Sequence, residues 1–523
     1  MNLYTLLSDI FAGLSPEEQV RTAIHCEGRG CTYRQLGCAI DSFADELISL
    51  GVRPGEHIGL WSFNSLNWVA TFFAIVKVGA VAVLPNYSLP AADVEDQLRR
   101  ADVSILIFGN NLAMKRDASA AARIAQTLQL RALIDLRAPE NEFFARSRRP
   151  VENDIELYCR VSSDRPARSA FIIFTTGTTS APKAVQLHQR GLLANAEDLA
   201  LRTESISGDC ICIGLPLFHV FGLQWLMTYL MRHKTVYLQD RISVDNIISD
   251  IYTYRIRDLA TVGTIITQLI DHPDFSKIAD IVRFCQTGGG RITPVQFTKL
   301  ETAFSDAKIL NGLGMTEAHG GVTEPLPTDG IECRAGSLGR LGSYLEGKLI
   351  NSGGKEVPSG KVGELCIRGL TVMNGYYGLP EDQQGFDEEG WFHTGDLGFF
   401  DAFGNLTLAG RTKDIIIRGG ENIAPLDVET AIIEFGGIKD TKVFGAPHPV
   451  YGESVECCLI PENPSKYSED LLRAALKERL AAFKIPSHFF VFDSFPLMSN
   501  GKLDEKALKL EMLRRLEAER DEA

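Results

Sequence analysis

Ala170-Phe-Ile-Ile-Phe-Thr-Thr-Gly-Thr-Thr-Ser-Ala-Pro-Lys183 runs an apolar strand straight into hydroxyls, a glycine and a lysine. A strand that ends this way sets backbone N–H groups, hydroxyl donors and one point charge around a concavity, as a polyphosphate requires. Apolar runs of the same kind recur at HIGLW (57–61), AVAVLP (80–85), SILIFG (104–109), TVYLQ (235–239) and KVGELCIRG (361–369). Longer amphipathic segments lie between them, such as 36–50 and 188–202, and suit helices. Short buried strands alternating with helical crossovers are the pattern of an α/β protein with largely parallel sheets. The apolar stretch Trp68 to Leu84 contains Lys77 and Gly79 and falls short of the roughly 20 residues of a membrane span; it reads as a buried helix running into a buried strand. From about residue 400 the texture changes. A hairpin signal at Asp401-Ala-Phe-Gly-Asn405 leads to strand-like LTLAG and DIIIRGGENIAP, and an α+β module follows, closed by a charged helix from Asp504 onward.

The composition removes whole classes. The chain has 523 residues, enough for two to four domains at roughly 150 residues each, and with 45% hydrophobic and 23% charged residues it is neither disordered nor fibrous. Its 53 Lys and Arg against 67 Asp and Glu give a net charge of −14, which argues against a nucleic-acid partner. The first residues lack a basic segment and place Asp9 where a signal sequence is apolar. Eleven cysteines, an odd count without a C-x-x-C pair, point to the reducing cytoplasm; Cys210, Cys212, Cys457 and Cys458 read as small core residues. Motifs for a P-loop NTPase, a dinucleotide-binding dehydrogenase, a nucleophile-elbow hydrolase and a zincin are all missing.

Further strings stand in a fixed order along the chain. They are Pro216-Leu-Phe-His219-Val-Phe-Gly222, Thr287-Gly-Gly-Gly-Arg291, Asn311-Gly-Leu-Gly-Met-Thr-Glu317, Gly363-Glu-Leu-Cys-Ile-Arg-Gly369, Gly390-Trp-Phe-His-Thr-Gly-Asp396, Gly410-Arg-Thr-Lys-Asp414, Gly420-Glu-Asn-Ile-Ala-Pro425 and Asn500-Gly-Lys502-Leu503. With the loop at 174–183, this series resembles the adenylate-forming superfamily: acyl- and aryl-CoA synthetases, peptide-synthetase adenylation domains and firefly luciferase. The wording is most similar to AMP-forming carboxylic acid–CoA ligases.

The resemblance implies a large N-terminal α/β domain over residues 1–410, a hinge over 411–413 centred on Lys413, and a smaller, mobile α+β domain over 414–523. It also implies roles. Thr175, Thr176, Gly177, Thr178, Thr179 and Lys183 would cradle the β- and γ-phosphates of ATP. Glu317 would hold Mg²⁺ and Thr316 would bond the α-phosphate. Gly289, Gly290 and Asn311, Gly312, Leu313, Gly314 and Met315 would surround the adenine. Asp396 would accept from the ribose hydroxyls, and Arg411 would bind the ribose and phosphate side. Lys502 would bridge the incoming carboxylate and the α-phosphate, where two anions meet. His219, Val220, Gly222 and Gly288 would form the acid pocket, and Gly419 and Gly420 would line the path of the thiol arm.

The string also departs from the family pattern. Leu313 occupies the usual adenine-stacking tyrosine position, and Ser180 and Ala184 replace glycines, which matters if φ is positive there. His219 stands where amino-acid-activating relatives have an aspartate, so the resemblance favours a fatty, aryl or other simple acid. The expected reaction forms acyl-AMP and pyrophosphate, then a thioester with CoA. The alternatives are a stand-alone enzyme loading a carrier protein's phosphopantetheine, and a non-catalytic ligand-binding relative.

Overall fold

The computed structural model describes residues 6–109, 116–138, 143–148, 168–175, 182–289, 292, 294–497 and 503–522. Two seven-stranded sheets share one continuous apolar core. The first runs in the order Lys308–Asn311, Phe284–Thr287, Asp258–Ala260, Cys210–Ile213, Thr235–Leu238, Thr22–Cys26 and Arg29–Thr32, parallel except at the last pair. In the second, Ser169–Phe174, Val81–Leu84, His57–Ser62, Ile105–Gly109 and Ala132–Asp135 are parallel. Ala184–His188 and Gly375–Tyr376 extend that sheet antiparallel. The apolar runs of the sequence are therefore strands, within a residue or two of where their patterning puts them.

The helices follow from the same patterning. Tyr33–Ser49 buries the stripe Leu36, Ile40, Phe43 and Leu47 and starts in a capping box between Thr32 and Gln35. Leu66–Lys77 is buried from Leu66 to Val76, as an all-apolar helix must be; Ser65 caps it by accepting from the Trp68 N–H at 3.0 Å. Gly79, at φ +75°, then turns the chain into Val81–Leu84. Gln189–Thr203 packs on the equally buried helix Val220–Leu230.

Three smaller sheets complete the chain. Leu313–Met315, Gly320–Glu324 and Arg340–Leu341 form one, and Leu345–Ile350, Gly363–Gly369, Phe392–Phe400 and Leu406–Arg411 form an antiparallel second. From Ile416 onward, five strands make the sheet of the smaller C-terminal domain. The helix Glu505–Glu522 is seated on that sheet. Leu508, Met512 and Leu516, one turn apart, pack against Phe444, Phe490, Phe492 and Phe495, so its middle is anchored rather than solvated. Among the described residues, no helix is long and apolar enough to cross a membrane.

Candidate active site

A cavity of about 120 Å³ opens just beyond the carboxyl ends of four parallel strands of the first sheet. Its walls are the segments that leave those strands: Leu215 and Pro216 after Cys210–Ile213, Val262 after Asp258–Ala260, Gly288 and Gly289 after Phe284–Thr287, and Gly312 after Lys308–Asn311. Crevices in parallel sheets form at this end because the chain diverges into loops there. The first turn of Val220–Leu230 closes one side with His219, Val220 and Phe221. The hairpin Leu313 to Glu324 closes the other.

That hairpin is set by a buried histidine. His319 sits at φ +56°, accepts the His188 N–H at Nε2 (2.8 Å) and donates from Nδ1 to Thr371 O (2.7 Å). Burial pushes its pKa down to about 3, so it stays neutral in this tautomer. Gly191 must be glycine, because a Cβ there would strike the ring. The turn Thr316–Ala318 thereby presents Glu317 at a fixed place.

Beside the turn Thr316–Ala318, an ammonium and a carboxylate are held on one tyrosine. Glu317 Oε1 accepts from the Tyr376 hydroxyl at 2.9 Å, and Lys183 Nζ lies over the Tyr376 ring, 4.4 Å from its centroid. The loop that carries the lysine is tied at its base: Thr175 N donates to Lys183 O (3.0 Å), and Lys183 N to Thr175 Oγ1 (3.3 Å). Thr176, Gly177, Thr178 and Thr179 lie outside the described residues, as do Gly290 and Lys502. Ala184, whose replacement of glycine matters only at positive φ, is the first residue of an extended strand and pairs with Phe174, where alanine is unstrained.

A second charged pair is built across two strands. Asp396 and Arg411 are register partners, and Arg411 Nε donates to Asp396 Oδ1 at 2.8 Å. Asp396 is 2% exposed, and its Oδ2 is a buried acceptor without a hydrogen-bond partner among the described residues. Burial raises the Asp396 pKa and Arg411 opposes the rise. Asn311 Oδ1 is likewise buried and unpaired at the end of its strand. Leu313, Gly314, Met315, Thr316, Gly288 and Gly289 all line the cavity.

Gly222 corrects the expectation placed on it. It is not on the cavity surface; the Pro216 carbonyl occupies the space a side chain would need, so Gly222 lets the helix pack against the preceding turn. Gly419 and Gly420 form the turn of the hairpin Ile416–Arg418 and Glu421–Ile423 at φ +61° and +89°, which only glycine adopts freely. Leu503 pairs with Leu497, and Asp504 Oδ1 caps the last helix at Ala507 N (3.0 Å), so residues 503 and 504 are fastened to the C-terminal domain. Lys413 lies in the single turn Thr412–Asp414 between the four-stranded sheet and the C-terminal sheet.

Four functional candidates escaped the sequence reading: Tyr376, Gln224, Gln286 and Glu324. Tyr376 lies in Asn374-Gly-Tyr-Tyr-Gly378, which reads only as a turn; Gln224 sits inside an apolar segment, and Gln286 and Glu324 each stand beside a threonine with no motif of their own.

Comparison with known proteins agrees with this geometry. Residues 16–377 match the AMP-binding enzyme family, and residues 427–502 match the AMP-binding enzyme C-terminal domain. The chain belongs to the AMP-binding enzymes. An oxalate–CoA ligase of Arabidopsis thaliana is 32% identical over 515 residues, covering 96% of this chain and 97% of that protein. A feruloyl-CoA synthase of an Amycolatopsis species is 29% identical, covering 94% and 96%. Two solved structures share the fold: ATP-bound MatB from Rhodopseudomonas palustris (TM-score 0.84, 23% identity, 97% and 98% covered) and the anthranilate CoA ligase AuaEII with anthranoyl-AMP (TM-score 0.84, 24%, 98% and 98%). This AMP-binding enzyme is an ATP-dependent acid–CoA ligase, acting on a small carboxylic acid, ATP and CoA.

Proposed function

We propose that the acid is an aryl or fatty carboxylic acid rather than an α-amino acid, and that Lys183, Thr316, Glu317, Asp396, Arg411 and Lys502 carry its adenylation. The observation behind this assignment is the ammonium of Lys183 and the carboxylate of Glu317 held on two parts of Tyr376. A lysine kept near a carboxylate yet engaged on a ring stays available for phosphate. Glu317 Oε2 has no hydrogen bond among the described residues and offers the oxygen ligand that Mg²⁺ prefers. When bound, Mg²⁺ would supply charge neutralisation on the phosphates. A carboxylate oxygen of the acid attacks the α-phosphorus and pyrophosphate leaves; Lys502 offsets the charge where the two anions meet. The CoA thiolate then attacks the acyl carbon and AMP leaves, with no covalent enzyme intermediate. His219 at the pocket wall brings no carboxylate to neutralise an α-ammonium.

For the second half, a swing of residues 414–523 about Lys413, away from 1–410, withdraws Lys502 and brings Gly419 and Gly420 to the site. The exposed glycine turn, with open space where a Cβ of Gly420 would lie, suits a close-lying pantetheine arm. Free thiols at every described cysteine suit a cytoplasmic location. The test is pyrophosphate release from MgATP across aryl, fatty, dicarboxylic and amino acids, each with and without CoA. Repeated turnover with aryl or fatty acids only when CoA is added is expected. A burst that CoA cannot relieve would move the thiol to a carrier protein, and a response confined to amino acids would overturn the acid class.

A further inference from the structure

The cavity changes character along its depth. Gly289 and Gly314 at its mouth are exposed, whereas Gln224, Gln286 and Glu324 at its floor are 3%, 2% and 5% exposed. A floor for a plain hydrocarbon or phenyl group would be apolar. This one carries two amides and a carboxyl, all on its surface. Their hydrogen bonds are only partly closed. Gln286 Nε2 donates to Glu324 Oε1 (3.0 Å) and to Thr287 O (3.1 Å), which fixes the amide's orientation and leaves Gln286 Oε1 buried without a partner among the described residues. Gln224 Oε1 is taken by the Gly321 N–H at 2.9 Å. The Glu324 carboxyl lies against Gly312, at a point any side chain on residue 312 would fill.

We infer that Gln286 and Glu324 form a subsite for a hydroxyl or amino group on the far end of the acyl chain. The inference rests on the acid–CoA ligase reading and narrows its substrate. A hydroxyl or amine can give a proton to Gln286 Oε1 and meet the Glu324 carboxyl with either a donor or an acceptor. An unsubstituted tail would leave Gln286 Oε1 buried and unpaired, as it is now. A second carboxylate would be buried at the floor with no lysine or arginine among the described lining residues to neutralise it. Burial raises the Glu324 pKa to about 8, against Arg202, which lowers it, so the floor is largely uncharged at neutral pH and fits a neutral polar group.

The test compares two matched series: propanoate, 3-hydroxypropanoate and malonate, and benzoate, 4-hydroxybenzoate, 4-aminobenzoate and terephthalate. The readouts are KM and kcat for CoA-dependent pyrophosphate release. In at least one series, the hydroxy or amino member should have a KM about tenfold or more below both the parent and the dicarboxylate. Gln286→Leu and Glu324→Leu should collapse that ratio toward one while leaving the KM for ATP unchanged, and Glu324→Gln should retain it. Preference for the parent or the dicarboxylate in both series, or a ratio unmoved by Gln286→Leu, overturns the subsite. Calorimetric binding of the corresponding acyl-sulfamoyl adenosines to the unmodified enzyme reads the same preference without turnover. Tightest binding of the hydroxyacyl compound without thioester formation would keep the subsite and remove CoA as acceptor. Turnover with equal affinity for all members would keep the ligase and remove the subsite.

Discussion

The two ends of the active site are built on opposite plans. In the region proposed for phosphate and ribose, formal charges sit beside partners that hold them: Lys183 and Glu317 on Tyr376, Asp396 on Arg411. At the floor proposed for the acid, two amides and one buried carboxyl keep an acceptor unpaired among the described residues. On the proposed roles, the first arrangement suits any substrate that brings a triphosphate. The second suits an acid whose tail completes it. Chemistry common to every acid would then be fixed by charge, and choice among acids by hydrogen bonding in a buried pocket, where an unmet partner discriminates strongly.

The largest expected break in this comparison comes from Lys502→Ala. It should slow acyl-AMP formation by a factor of about 10³, the loss typical of a major transition-state contact, yet still transfer the acyl group from supplied acyl-AMP to CoA. Equal loss of both halves, followed by separate pyrophosphate and thioester assays, would remove the lysine from its assigned step. Next is Lys413→Pro, which should abolish thioester formation and leave adenylation within a few-fold of normal, because it stiffens the connection while removing only a charge that acts weakly on Asp396. Loss of adenylation to the same degree would mean that Lys413 holds the first arrangement rather than permits the second.

Tyr376→Phe should act on the charged end alone. It keeps the ring under Lys183 and removes the hydrogen bond to Glu317, at about 1–2 kcal/mol, or roughly tenfold in the Mg²⁺ requirement measured by titrating the metal at fixed ATP. An unchanged Mg²⁺ dependence would separate Glu317 from the metal. The last effect, at the floor, is read in stability rather than in rate. The folded-state pKa of Glu324 is raised to about 8 from 4.5, so the folded enzyme keeps a proton that the unfolded chain gives up. That contribution favours folding most below about pH 4.5 and is lost progressively as pH rises toward 8. The ionisable neighbours that bear on it are Arg202 and Asp198. Melting temperatures of wild type and Glu324→Gln should therefore diverge between pH 5 and 8, with the wild type falling more steeply. Parallel curves would place the carboxyl in a wetter setting than its burial indicates.

The candidates Lys183, Thr316, Glu317, Asp396 and Arg411 are legible in the sequence because they arrive in contiguous strings, and the apolar runs of the two large sheets are equally plain. What the strings did not carry was pairing. That Asp396 and Arg411 face each other across a sheet is a matter of register. That Gly222 serves helix packing rather than the pocket depends on where the Pro216 carbonyl lies. The floor was illegible for a stronger reason. Gln224 comes from a helix, Gln286 from a parallel strand and Glu324 from a hairpin, 38 residues or more apart along the chain, and each is set among residues that give no common pattern. Only the fold brings them together, so no local spacing announces them.

The fastening of residues 503 and 504 limits how the enzyme can be geared. Leu503 is paired with Leu497 and Asp504 N donates to Pro496 O at 2.8 Å, so residues 503 and 504 travel only with the domain that bears them. The proposed swing is then a stroke of that whole domain rather than the flicker of a side chain. If the stroke limits turnover, the rate should fall as the medium thickens while the bond-making events themselves do not slow.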